Sequence, residues 1–244
     1  MVEDLTEDRL LGGRVRLLQP RRGYRVAVDA VLLAAAVDAK AGQRVLDLGA
    51  GVGSVGLCLA ARVPGIDVTG IELQQAFALL AERNARLNGV EDRVRTILHD
   101  LAYPLPESLA GNPGGFDHVA TNPPYLAAAV ADPSPDLGKA RATVESSAGL
   151  AQWLAIATGA LKPAGTLTLI HRSDRLEEIV ALLAGLGWGD LAIKTLPPAA
   201  RILVRAHKGS LKRYDSPPWR LHREEGGYTE AAEAVLRHAA PLVF

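Results

Sequence analysis

Apolar residues fall along this chain in short blocks parted by polar, glycine-bearing or proline-bearing turns, and two kinds of block alternate. One kind is a run of about five residues dense in Val, Ile and Leu, the pattern of a strand buried on both faces. Such runs stand at 44–48, 67–71, 94–98, 116–121 and 165–171. The other kind is longer and helical in period, at 29–40, 54–62, 74–88 and 146–161. Strand and helix in alternation predict a parallel sheet covered on both faces, a doubly wound α/β fold. Near the end, 191–195 and 201–206 predict a hairpin pair that completes the sheet. The segment 126–138, rich in Ala and carrying Asp-Pro-Ser-Pro-Asp, predicts irregular structure: either a linker or a lid over a site.

Composition narrows the class. With 244 residues and 48% hydrophobic content, one domain over 1–244 is expected, with an extension and helix in 1–43 and the core in 44–244. A single cysteine excludes a disulfide framework, and Cys58 sits in an apolar helical run that predicts core packing. The acidic N-terminus resembles no signal peptide, and no apolar run reaches the roughly 18 residues of a membrane span. A cytoplasmic protein without membrane contact is therefore expected. Six histidines and one cysteine show no metal-ligand spacing, so no metal is expected; His99 and His118 read as satisfied strand-end side chains. Oligomeric state is left open.

Candidate chemistry begins where the first strand ends. Asp47-Leu48-Gly49-Ala50-Gly51-Val52-Gly53 is a strand end followed by a glycine turn and an apolar helix. Glycines let backbone approach a ligand closely. The dinucleotide fingerprint G-x-G-x-x-G would place phosphate at the helix start. Here the glycines alternate and Asp47 stands in the strand end, which repels phosphate and suits an ammonium group. Glu72 closes the next strand, where a carboxylate can accept both hydroxyls of a ribose. Asp100 follows the third strand. Three acids at successive strand ends outline a nucleoside joined to an amino acid and carrying no phosphate, a description that S-adenosylmethionine fits. Each acid also has a structural reading, as a turn or helix-start residue, and Asp29 reads equally as a helix N-cap or a contact to the ligand's amino-acid end.

After the strand 116–120 come Thr121-Asn122-Pro123-Pro124-Tyr125. Each proline removes a donor and fixes φ near about −65°. The Asn122 side-chain carbonyl and the Pro123 backbone carbonyl can then face one spot as acceptors. Tyr125 adds a ring on which a flat group can stack. Two acceptors and a ring describe a site for a planar group bearing an amine; the alternative is a Pro-rich turn leaving the sheet.

Asp47 to Gly53, Glu72, Asp100 and Asn122 to Tyr125 together resemble the motif set of class I S-adenosylmethionine-dependent methyltransferases of the Asn-Pro-Pro-Tyr type. Gly23 to Ala34, Ile71-Glu72-Leu73-Gln74 and Leu161 to Leu167 are similar to the family that methylates an adenine beside the anticodon of a valine tRNA. The resemblance covers roughly residues 14 to 235. It implies a Rossmann-like sheet of seven mostly parallel strands with an antiparallel edge strand. It implies S-adenosylmethionine held by Asp29, Asp47, Leu48, Gly49, Ala50, Gly51, Gly53, Glu72, Leu73, Asp100, Leu101 and Asn122, and catalysis by Asn122, Pro123, Pro124 and Tyr125. The resemblance implies, as the first-ranked function, methylation of an adenine exocyclic amine in RNA, in a tRNA near the anticodon. Protein glutamine methylation, ribosomal guanine methylation and binding without turnover remain as alternatives.

Net charge is zero, which leaves only local patches for nucleic acid. Between Arg14 and Arg25 stand five arginines and no acid; between Arg201 and Arg223 stand seven Lys or Arg and one acid. Arg21, Arg22, Arg25, Lys208, Lys212 and Arg213 are the candidate RNA contacts, and balanced, solvated faces are the alternative.

Overall fold

The computed structural model describes residues 4–22, 25–26, 28–107, 109, 115–125, 148–208 and 213–244. Strands β1 (Leu5–Leu10) and β2 (Val15–Pro20) open the chain, followed by α1 (Val28–Ala36). Then come β3 (Arg44–Leu48), α2 (Ser54–Arg62), β4 (Asp67–Glu72), α3 (Gln75–Leu87), β5 (Val94–Leu98) and β6 (Phe116–Thr121). The second half holds α4 (Leu150–Ala160), β7 (Leu161–Arg172), α5 (Leu176–Gly185), β8 (Trp188–Thr195), β9 (Arg201–Lys208), β10 (Arg213–Ser216) and α6 (Glu230–His238).

The large sheet runs β10-β8-β9-β7-β6-β3-β4-β5, and within it only β9 is antiparallel to its neighbours. The doubly wound, mostly parallel arrangement matches the expectation from the alternating blocks. Its antiparallel strand lies near one margin, and the short β10 adds an eighth strand outside β8. Val45, Leu46 and Leu48 of β3 are fully buried, as a strand covered on both faces requires. One apolar cluster joins α1, α2 and part of α3 to one face; the other joins α4 and α5 to the opposite face. Cys58 packs in the first of these, where burial pushes its thiol up to about 12. His118 is satisfied as expected, between Thr166 Oγ1 at 2.6 Å and Gln43 Oε1 at 3.0 Å.

The N-terminal hairpin was not visible in the pattern, and it revises the first basic run. β1 and β2 pair antiparallel, which brings the acids of residues 4–8 against the arginines of 16–25. Arg16 pairs with Glu7 at 2.8 Å, Arg21 with Asp4 at 2.7 Å and Arg25 with Asp8 at 2.7 Å. Arg25 also donates to Thr6 Oγ1 and the Pro20 carbonyl, so its guanidinium braces the hairpin. Arg21 and Arg22 remain exposed. In the second run, Arg213 pairs with Glu177 and Asp215, Lys208 closes β9, and Lys212 lies outside the described residues, as does 126–138. Asp29 falls inside the first turn of α1, not at its N-cap.

The hairpin docks through two asparagines four residues apart, Asn84 in α3 and Asn88 just past its end. Asn88 Oδ1 accepts from Arg16 N and its Nδ2 donates to Arg16 O; Asn84 does the same at Leu18 N and Leu18 O. Asn84 also donates to the Val52 carbonyl, tying the hairpin to the loop before α2. Asn84 is fully buried, and removing its amide would strand backbone groups that water cannot reach. Asn84→Ala is expected to lower unfolding free energy by about 3 kcal/mol, and the more exposed Asn88→Ala by about 1 kcal/mol. Urea denaturation of the two variants checks this order.

Candidate active site

The parallel strands β6, β3, β4 and β5 all finish on one edge of the sheet. The chain leaves β3 toward β4 and β5, then returns to the other side as β6, so the crevice at that edge is a topological switch point. A cleft of about 950 Å³ opens there, lined by Asp47, Gly49 to Gly51, Glu72, Leu73, Asp100, Leu101 and Asn122 among others. The acids among these were expected from the strand-end pattern, and the other named residues from the resemblance.

The glycine turn is bolted to the end of β4. Gly49 N and Ala50 N both donate to the Ile71 carbonyl at 2.9 Å, and Gly51 N donates to Glu72 Oε2 at 2.9 Å. Gly49 has φ +76°, and a Cβ there would lie 2.6 Å from the Trp153 ring, so no side chain fits. Over Gly51 nothing lies within 4 Å, which leaves an open cradle on the cleft side. Glu72 Oε1 accepts from Gln74 N at 2.8 Å, and burial raises this carboxyl's pKa against the opposing pull of those backbone donors.

Asp47 is 2% exposed, and its Oδ2 has no partner among the described residues. Burial, and secondarily the Glu72 charge, push its carboxyl up to about 7. The flanking residues in the sheet, Gly70 and Ala120, are small and leave room around it. Asn122 Oδ1 is likewise buried without a partner among the described residues and lines the same cleft. A buried acceptor without a donor is costly, so two of them in one cleft mark places where a ligand's N–H groups belong. Asp100 Oδ1 accepts from Ala102 N at 2.9 Å, so its turn role and a place in the cleft wall coexist.

Three expected cofactor contacts lie outside the lining of this cleft. Leu48 points into the apolar cluster on the opposite face, and Gly53 faces Ala81, so neither lines the cleft. Asp29 does not line it either: its Oδ2 accepts from the Tyr125 hydroxyl at 2.7 Å and from Arg201 Nε at 3.1 Å. Tyr125 is thus engaged through its hydroxyl, which a reading of its ring alone had missed. Sequence reasoning also missed Phe77 and Trp153 in the cleft wall. Phe77 lies in α3 just past Glu72, a signal the helical period could have supplied; Trp153 comes from α4, and no local pattern marks it.

The family model described as the methyltransferase small domain matches residues 25–180. This chain belongs to the methyltransferase small domain family. The matched stretch holds the glycine turn, the three strand-end acids and Asn122 to Tyr125, and stops before the second basic run. Curated relatives include proteins named tRNA1(Val) (adenine(37)-N6)-methyltransferase. The one from Porphyromonas gingivalis is 36% identical over 159 residues, 64% of this chain and 61% of the relative. The one from Tolumonas auensis is 28% identical over 172 residues, 70% and 68% of the two chains. The match thus spans less than two thirds of the Porphyromonas relative's own length. Among solved structures, a protein from Agrobacterium tumefaciens described as a predicted O-methyltransferase superposes with TM-score 0.71 at 27% identity, over 88% of this chain and 98% of that one. The geranyl diphosphate C-methyltransferase of Streptomyces coelicolor, solved with S-adenosyl-L-homocysteine, shares the fold at TM-score 0.55 and 14% identity, over 74% and 79% of the chains.

No helix among the described residues is long and apolar enough to cross a membrane, and no cluster of metal-ligating side chains occurs among them.

The Asp47 environment sets a pH dependence. In the unfolded chain this carboxyl ionises near 3.8; in the folded protein it ionises at about 7. Between those values the folded protein keeps a proton the unfolded chain has lost, so stability from this group is full below about pH 4 and falls as pH rises toward 7. Asp47→Asn is expected to flatten that decline and to raise stability at pH 8 by on the order of 2 kcal/mol. Urea unfolding at pH 5 and pH 8 measures both slopes, and parallel slopes would remove Asp47 as their source.

Proposed function

We propose that this protein is an S-adenosylmethionine-dependent methyltransferase acting on the exocyclic amine of an adenine in RNA, in a tRNA near its anticodon. The observation that carries this reading is the pair of unpartnered buried acceptors in one cleft, Asp47 Oδ2 and Asn122 Oδ1. The first suits the ammonium of an amino-acid-bearing cofactor, and the second suits an aromatic amine. The names of the curated relatives support adenine in tRNA as the target. A single-domain protein acting in the cytoplasm goes with this reading.

The residues fit the cofactor. Asp47 and the open cradle over Gly51 would hold its methionine portion, Glu72 its ribose and Asp100 its adenine amine, with Leu73 and Leu101 in the walls. When bound, the cofactor supplies an electrophilic methyl on a sulfonium. Asn122 Oδ1 and the Pro123 carbonyl would accept the two N–H bonds of the target amine. That holds the nitrogen pyramidal, frees its lone pair from the ring and stabilises the positive charge that develops on it. Tyr125 would stack on the base and fix the line of approach. No strong base is required, because the methylated ammonium loses its proton readily to water. Burial pushes His171, edge-on to Tyr125, down to about 4, so it adds no charge beside the target amine at pH 7. The target base has to leave its stack to reach the cleft. Arg21, Arg22, Lys208, Lys212 and Arg213 remain the candidate phosphate contacts.

Tritiated methyl transfer to bulk tRNA and, separately, to release factor, followed by nucleoside and amino-acid analysis, tests the reading. Label is expected in N6-methyladenosine and to weaken steeply with salt. Label in glutamine with none in adenosine overturns the substrate. Asn122→Ala is expected to lower turnover about 100-fold, by analogy with losing one preorganised group of an oxyanion hole. Cofactor affinity measured by calorimetry should be unchanged in that variant.

A further inference from the structure

Because β9 alone runs against its neighbours, its first residue arrives at the edge where the parallel strands finish. That residue is Arg201. There it meets Asp29 from the first turn of α1 and Tyr125 from the loop after β6. One carboxylate oxygen, Asp29 Oδ2, takes both the Tyr125 hydroxyl at 2.7 Å and Arg201 Nε at 3.1 Å. The Arg201 guanidinium lies 4.4 Å from the centroid of the Tyr125 ring, within cation–π range. The His171 ring stands nearly perpendicular to Tyr125, at 84° and 5.4 Å between centroids. The tyrosine is thereby held at its hydroxyl, on a face and by a neighbouring ring.

Resting on the adenine-methyltransferase reading, we propose that Asp29 and Arg201 are positioning residues for Tyr125. They set the plane of the ring before the accepting base arrives, and Arg201 covers one face so that the base stacks on the other. A tyrosine side chain in a loop has two free torsions, and a stacking platform that turns loses the alignment an in-line transfer needs. Asp29 has a second task. A bare guanidinium beside a nitrogen that becomes positive would oppose the reaction, and the carboxylate at 3.1 Å offsets that charge. The Asp29–Arg201 pair is mostly shielded, at 14% and 28% side-chain exposure, so solvent does little to screen it. This places the role of Asp29 in ordering the substrate side of the site instead of holding the cofactor.

Single-turnover kinetics with tRNA, calorimetry with the cofactor and tyrosine NMR of the free protein test this together. Tyr125→Phe and Asp29→Ala are each expected to lower the rate about tenfold, the worth of one hydrogen bond to a charged group. Cofactor affinity should stay within about twofold in both, and the double variant should fall no more than about twofold below Asp29→Ala, because the two act through one contact. Arg201→Lys should retain more activity than Arg201→Ala, since it keeps a cation at the ring. In the free protein, the ¹³Cζ resonance of Tyr125, identified among the five tyrosines by its loss in Tyr125→Phe, should move in Asp29→Ala and in Arg201→Ala. Losses that simply multiply in the double variant, or an unmoved resonance, overturn the proposal. If the parent protein labels no adenine in tRNA, the substrate reading fails, and the resonance still decides the positioning role.

Discussion

The site depends on one short set of hydrogen bonds, those that bind the glycine turn after β3 to the end of β4. Ile71 O receives Gly49 N and Ala50 N, and Glu72 receives Gly51 N. Such closeness is possible only because Gly70 has no side chain: a Cβ there would stand 2.7 Å from the Ala50 Cβ. The turn is therefore positioned by the neighbouring strand and not by its own sequence alone. From it follow the start of α2, the open cradle over Gly51 and the place of Asp47 beneath the cleft.

Electrostatics then sets what this scaffold can hold. Asp47 and Glu72 are both buried, each raised in pKa by desolvation, and among the described residues no basic side chain pairs with either. A protein that keeps two buried acids side by side forgoes stability at neutral pH, since one of them resists ionisation. Backbone amides soften that cost at Glu72, whereas Asp47 Oδ2 has no such donor. A ligand that brings a cation to Asp47 would favour its ionised form and recover part of the loss. Asn122 repeats the same logic with a neutral group: a buried acceptor without a donor among the described residues.

The two reversed elements of the fold do separate work. In the hairpin β1–β2, antiparallel pairing sets acids against arginines and converts a run that looks basic into a largely neutral ribbon, clasped by Asn84 and Asn88. In the large sheet, the reversal of β9 delivers Arg201 to the edge where the parallel strands finish, where a parallel strand would have brought its last residue instead. Both effects come from strand direction, which carries side chains to one end of the sheet or the other.

The order of strands and helices, the glycine turn, Asp47, Glu72, Asp100 and the Asn122–Tyr125 loop were legible in the sequence because each is a local pattern. Buried strands are uniformly apolar, turns need glycine, and in parallel strands every carboxyl end meets at one edge, so an acid or amide there is placed by its position in the chain. What sequence could not supply depends on contacts between residues distant along the chain. Asp29 reads as a cap or a ligand contact until Tyr125 and Arg201, 96 and 172 residues away, are seen on its carboxylate. The arginines of 16–25 read as a patch until β1 folds back on them. The unsatisfied oxygens of Asp47 and Asn122 exist only once burial has removed water from them. Residue type and spacing chose the elements; which charge meets which partner, and which polar atom is left waiting, was decided by packing.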